Sequence, residues 1–120
     1  MINYHFVFCP RYRRKIFLIP NVEKRFKELV KIKCKELEIE LIAIECNKDH
    51  SRMFLNCPPT LSPSDIMQQI KGYTSKILRE EFYELSKMPS LWTRSYFVST
   101  AGNVCSKTIK KYIENQKKRY

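Results

Sequence analysis

Apolar and polar positions change period several times along the chain, and each change marks an element. Residues 2–9, Ile-Asn-Tyr-His-Phe-Val-Phe-Cys, are rich in aromatic and β-branched types and stop at Pro10, which predicts a strand. Pro20 and Asn21 open a helix in which Val22, Phe26, Leu29, Val30, Cys34 and Leu37 recur at helical spacing to about residue 38. Residues 39–46 shift to a strand pattern, Asn47-Lys48-Asp49 forms a polar turn, and residues 50–57 make a second strand. This is a β-hairpin, closed off by Pro58-Pro59. Ser62-Pro63-Ser64-Asp65 starts another helix, with a Ser cap, Pro at the first helical position and a carboxylate three residues after the cap. Ile66, Ile70, Tyr73, Ile77, Leu78 and Phe82 supply its apolar face. Pro89 falls in a loop, and residues 95–100 read as a fourth strand. Ala101-Gly102-Asn103 turns into a last helix, about 104–117, whose trailing Lys117-Lys118-Arg119 suit the negative end of its dipole.

The order β-α-β-β-α-β-α predicts an α+β fold. Its first six elements follow the split-βαβ plan, ferredoxin-like or RRM-like, with one antiparallel sheet and two helices on one face. Residues 1–120 suit a single domain. The last helix is additional to that plan and calls for a separate task.

Composition narrows the function. The net charge is +11, from 23 Lys and Arg against 12 Asp and Glu, which favours a polyanionic partner such as nucleic acid. A basic protein without such a partner is the plain alternative. The five cysteines include no Cys-x-x-Cys pair and are odd in number, so neither a disulfide framework nor a zinc ribbon is expected. They read as reduced, buried small hydrophobes in a cytoplasmic protein. No apolar run reaches membrane-spanning length, no membrane association is expected, and no secretory signal opens the chain.

Candidate chemistry lies in three places. The run Arg11-Tyr12-Arg13-Arg14-Lys15 follows the first strand and suits phosphate contact with base stacking; a solvated loop is the other reading. The second hairpin strand begins His50-Ser51-Arg52, and alternation puts residues 50 and 52 on one face. Two histidines at that spacing would make a good two-point metal site, but here there are one histidine and one arginine. In the last helix, Tyr112 and Gln116 are four apart and project from one face. A tyrosine can attack phosphorus and hold a DNA end as an ester, and a Gln amide oxygen can bind a hard cation. Tyr112 also belongs to an ordinary amphipathic stripe with Cys105, Ile109 and Ile113.

Taken together and in order, these segments resemble the IS200/IS605-family transposases, TnpA-like HUH enzymes with a single catalytic tyrosine. The resemblance rests on Tyr4-His5-Phe6-Val7-Phe8-Cys9-Pro10-Arg11-Tyr12-Arg13, Asp49-His50-Ser51-Arg52, Asn56-Cys57-Pro58-Pro59, Lys71-Gly72-Tyr73, Ser90-Leu91-Trp92-Thr93-Arg94-Ser95-Tyr96-Phe97-Val98 and Tyr112-Ile113-Glu114-Asn115-Gln116, and covers nearly the whole chain. It implies a metal-assisted strand transferase acting on single-stranded DNA at transposon ends. Tyr112 would be the nucleophile, leaving a 5′-phosphotyrosine and a free 3′-OH. His50 and Gln116 would hold Mg²⁺ or Mn²⁺. A homodimer that recognises subterminal DNA hairpins is implied, with the active site built within or between subunits.

Arg52 departs from the family pattern, because it stands where the second histidine is expected. An arginine stays protonated and has no lone pair for a metal. Three outcomes follow. Arg52 clamps the scissile phosphate in part of the metal's place. Or a metal binds more weakly through His50 and Gln116, with water or Asp49, opposed by a fixed cation that costs several kcal/mol at about 4 Å. Or cleavage is lost, leaving a transposase relict that only binds DNA hairpins. On charge grounds the expected DNA contacts are Arg11, Arg13, Arg14, Lys71, Lys76, Arg79 and Arg94. His5 reads as structural. An RNA-binding module is a rival, because Phe6 and Phe8 share a strand face, though the third strand lacks a stacking motif.

Overall fold

A computed structural model describes residues 1–100. Four strands, β1 (Ile2–Phe8), β2 (Glu40–Asn47), β3 (His50–Cys57) and β4 (Phe97–Thr100), form one sheet in the order β2-β3-β1-β4. Every neighbouring pair is antiparallel. Helices α1 (Val22–Glu36) and α2 (Pro63–Glu81) bury their apolar stripes on one sheet face, and a short helix α3 (Tyr83–Ser86) follows α2. The expected split-βαβ plan is therefore present through its sixth element. The expected last helix, with Tyr112 and Gln116, lies outside the described residues.

Local chemistry explains the element ends. Helix α2 opens in a capping box: Asp65 N–H donates to Ser62 Oγ at 3.0 Å, and the Asp65 carboxylate accepts from Ser62 N–H. Helix α1 closes without a glycine. Glu38 takes a left-handed φ of 59°, and Ile39 N–H donates to Cys34 O at 2.8 Å, so the buried Ile39 locks the exit.

Alternation divides the sheet into two faces. Phe6 and Phe8 of β1 and Ser51, Met53, Leu55 and Cys57 of β3 are buried on the helix side. The rival that uses Phe6 and Phe8 as an RNA-stacking platform loses its support, because both rings are within 1% of full burial under the helices. The opposite face carries His50, Arg52, Phe54, His5 and Val7. Burial pushes the thiols of Cys34, Cys46 and Cys57 up to about 12, while Cys9, expected to be buried with them, is only partly covered.

The segment before β4 is tied down from three sides. Trp92 packs edge-on to Phe8 at 4.9 Å, and its indole N–H donates to Thr74 Oγ1 at 3.0 Å. Arg11 N–H donates to Leu91 O, and Thr93 N–H to Cys9 O. These bonds extend the sheet's pairing beyond β1 and carry residues 11–15 to a fixed place beside residues 90–94.

Candidate functional site

His50 stands at the first position of β3, and the register puts Asn47 opposite it across the Lys48-Asp49 turn. Its ring is held at both nitrogens. Nε2 lies 2.9 Å from Asn47 Nδ2, and Nδ1 lies 3.2 Å from Asp49 Oδ1. One tautomer satisfies both contacts: Nδ1–H donates to the carboxylate, and Nε2 accepts from the amide. A carboxylate behind an imidazole fixes the ring's tautomer and orientation. Asp49 also meets Arg13 Nε at 3.4 Å. The hydrogen bond to His50, and then the Arg13 charge, hold the Asp49 carboxyl below its usual range.

Arg52 projects from the same face as His50, as alternation predicts, while Ser51 between them is fully buried on the helix side. Its cross-strand neighbours are Glu45 on β2 and Val7 on β1. Opposite charges facing each other across strands stabilise a sheet, so Arg52 has structural surroundings as well as a place beside His50. Further along this face His5 stacks on Phe54, with ring centroids 4.3 Å apart and planes 2° apart, and meets the edge of Phe97 at 5.9 Å. Burial, and then the Arg52 charge, lower the His5 pKa. Among the described residues His5 Nε2 is buried without a hydrogen-bond partner, which fits a structural role and a neutral ring.

Among the described residues no cluster of three His, Cys, Asp or Glu side chains could hold a metal ion. They offer a cation one imidazole beside a guanidinium, which does not fit a tight divalent site. Gln116, the other expected ligand, lies outside the described residues, as does Tyr112.

The expected DNA contacts divide into two sets. Arg13, Arg14, Lys76 and Arg94 are exposed, and Arg11 is half-buried at the edge of a cleft. Lys71 is turned inward. Its ammonium donates to Thr93 O at 2.6 Å and Arg94 O at 3.3 Å, and burial lowers its pKa. Arg79 likewise spans to Ser75, Met88 and Pro89 carbonyls at 3.2, 3.2 and 2.9 Å. Both cations therefore hold the loops that shape the cleft. Sequence reasoning gave no role to Asn47, which a two-residue hairpin places opposite the histidine, or to Lys87, which the chain's return beside Arg11 brings into range.

Comparison with known proteins identifies the family. The family model for IS200-like transposases matches residues 1–116, a span that includes Tyr112 and Gln116. A transposase for insertion sequence element IS200 from Salmonella typhimurium is 36% identical over 117 residues, covering 95% of this chain and 76% of the relative. The ISDra2 transposase TnpA of Deinococcus radiodurans is 25% identical over 118 residues, 96% of this chain and 84% of that protein. A crystal structure of a candidate transposase from Deinococcus radiodurans R1 superposes with a TM-score of 0.77 at 26% identity, covering 96% of this chain and 90% of that one. A REP-associated tyrosine transposase bound to a REP hairpin shares the fold, with a TM-score of 0.65 at 12% identity over 92% of this chain and 61% of that one.

Proposed function

Because the chain belongs to the IS200-like transposase family, we propose that it cuts and rejoins single-stranded DNA through a 5′-phosphotyrosine on Tyr112. The family match carries this reading, since it runs through the Tyr-Ile-Glu-Asn-Gln segment. The phenolic oxygen of Tyr112 attacks a backbone phosphorus. The bond to the 3′ oxygen breaks, that oxygen takes up a proton, and the phosphate stays on the tyrosine. Attack by a 3′-OH reverses the step, so rejoining needs no external energy source.

His50, oriented by Asp49, sits on the face where the phosphate would lie. Arg52 supplies a fixed positive charge two residues along that face, and a guanidinium matches the oxygens of a phosphate undergoing displacement. His50 and Gln116 are the pair to which Mg²⁺ or Mn²⁺ would turn, weakly, because of the Arg52 charge. The partner we propose is DNA carrying hairpins near the element's ends, taken up by a homodimer in the cytoplasm. The hairpin-bound neighbour of the same fold supports the hairpin, and the free cysteines suit that compartment.

Incubation with single-stranded DNA from the ends of the element that carries the gene, with Mn²⁺ or Mg²⁺, tests this reading. A covalent protein–DNA adduct is expected from the native chain and none from Tyr112→Phe. Equal products from both, or none from either, sink the enzyme. The Arg52 position favours one second reading, a relict that holds hairpins without cutting them, and that reading survives if hairpin DNA binds while no adduct forms.

A further inference from the structure

The loop after β1 has features that the chemistry at His50 does not use. Tyr12 is 83% exposed with a φ of 60°, and Arg13 follows at 51°. Two successive non-glycine residues in the left-handed region are strained, and such strain gathers at functional sites. The surroundings enforce it: Arg13 N–H donates to Pro10 O at 3.0 Å, and Arg11 N–H to Leu91 O at 2.9 Å. An aromatic ring is thereby thrust into solvent between cations.

Arg11 separates two adjoining clefts. One, about 370 Å³, is also lined by Lys71, Trp92 and Arg94. The other, about 240 Å³, is lined by Tyr12, Arg14, Lys87 and Pro89. Among the described residues neither lining contains an acid. Ser90 lies with Arg11 on the ridge common to both, and there Arg11 Nε and Ser90 Oγ are buried without hydrogen-bond partners among the described residues. Buried donors left unmatched call for a ligand, and both of these suit an anionic oxygen.

We propose that the two clefts form one groove for unpaired DNA, in which Arg11 and Ser90 grip a backbone phosphate and Tyr12 stacks on a base. A cationic track beside an exposed ring fits single strands, because stacking needs a base free of its pair. The loop that supplies Arg11 and Tyr12 also reaches the candidate site, since its Arg13 meets Asp49, which contacts His50. The inference rests on the reading that single-stranded DNA is the substrate.

The test measures affinity of the full chain for an unstructured oligo-dT across a salt series, with a blunt duplex as control. Tyr12→Ala is expected to weaken oligo-dT binding about 5- to 150-fold, and Tyr12→Trp to restore it. Lys87→Gln should make the salt dependence shallower by roughly 0.7 in log–log slope, the value of one phosphate contact on a single strand. Tyr12→Ala binding like the native chain, or oligo-dT binding no better than duplex, overturns the groove. If Tyr12→Ala loses oligo-dT binding while the native chain forms no adduct, the groove stands and the proposed reaction fails. If an adduct forms while Tyr12→Ala binds normally, the reaction stands and the groove fails.

Discussion

Asp49 Oδ1 lies 3.2 Å from His50 Nδ1, so the carboxylate holds one side of the ring while Asn47 Nδ2, 2.9 Å from Nε2, holds the other. That arrangement fixes a tautomer before any substrate arrives. Asp49→Asn keeps the shape but removes the charge that supports the ring. The rate of adduct formation is expected to fall about ten- to a hundredfold with the fold intact. An unchanged rate would show that the carboxylate serves only its contact with Arg13.

Arg52 raises a question of charge rather than shape. Arg52→His restores a lone-pair donor next to His50. Tighter Mn²⁺ binding by calorimetry and faster adduct formation are expected if the arginine blocks the metal. A drop in adduct formation with no gain in Mn²⁺ affinity would instead mark the guanidinium as the phosphate clamp.

The pKa of His5 is lowered in the folded chain, so between that value and the unfolded value of 6.5 the unfolded chain binds the additional proton. The contribution of His5 is full above pH 6.5 and declines as pH falls through that value toward the folded one. His5→Phe, which keeps the stack on Phe54, should flatten the loss of stability below pH 6.5. Urea midpoints from pH 7 down to 5 check this, and a variant as acid-sensitive as the native chain would refute it.

Lys71 and Lys76 look alike in sequence but differ in the fold. Lys71→Met leaves the carbonyls of Thr93 and Arg94 without their donor and should destabilise the chain by about 1–3 kcal/mol. Lys76 is exposed, and Lys76→Met should change stability by less than about 0.5 kcal/mol. Chemical denaturation separates them; equal midpoints would contradict the inward role.

Apolar periodicity alone was enough for the element order, because β1, α1, β2, β3 and α2 each carry a period that only one backbone geometry can bury. The Ser62–Asp65 cap was readable because its two partners are three residues apart, within the reach of local chemistry. Likewise, the shared face of His50 and Arg52 follows from the pleat of any strand. What tertiary structure decided is which groups meet across the chain. Arg13 reaches Asp49, Ser90 comes to rest beside Arg11, and Lys71 turns to carbonyls more than twenty residues away. The last two pairings lie in the segment that Trp92 pins to Thr74, a long-range contact that no local spacing encodes. A cation's sequence position gives its charge; only packing settles whether that charge faces solvent or the protein's own backbone.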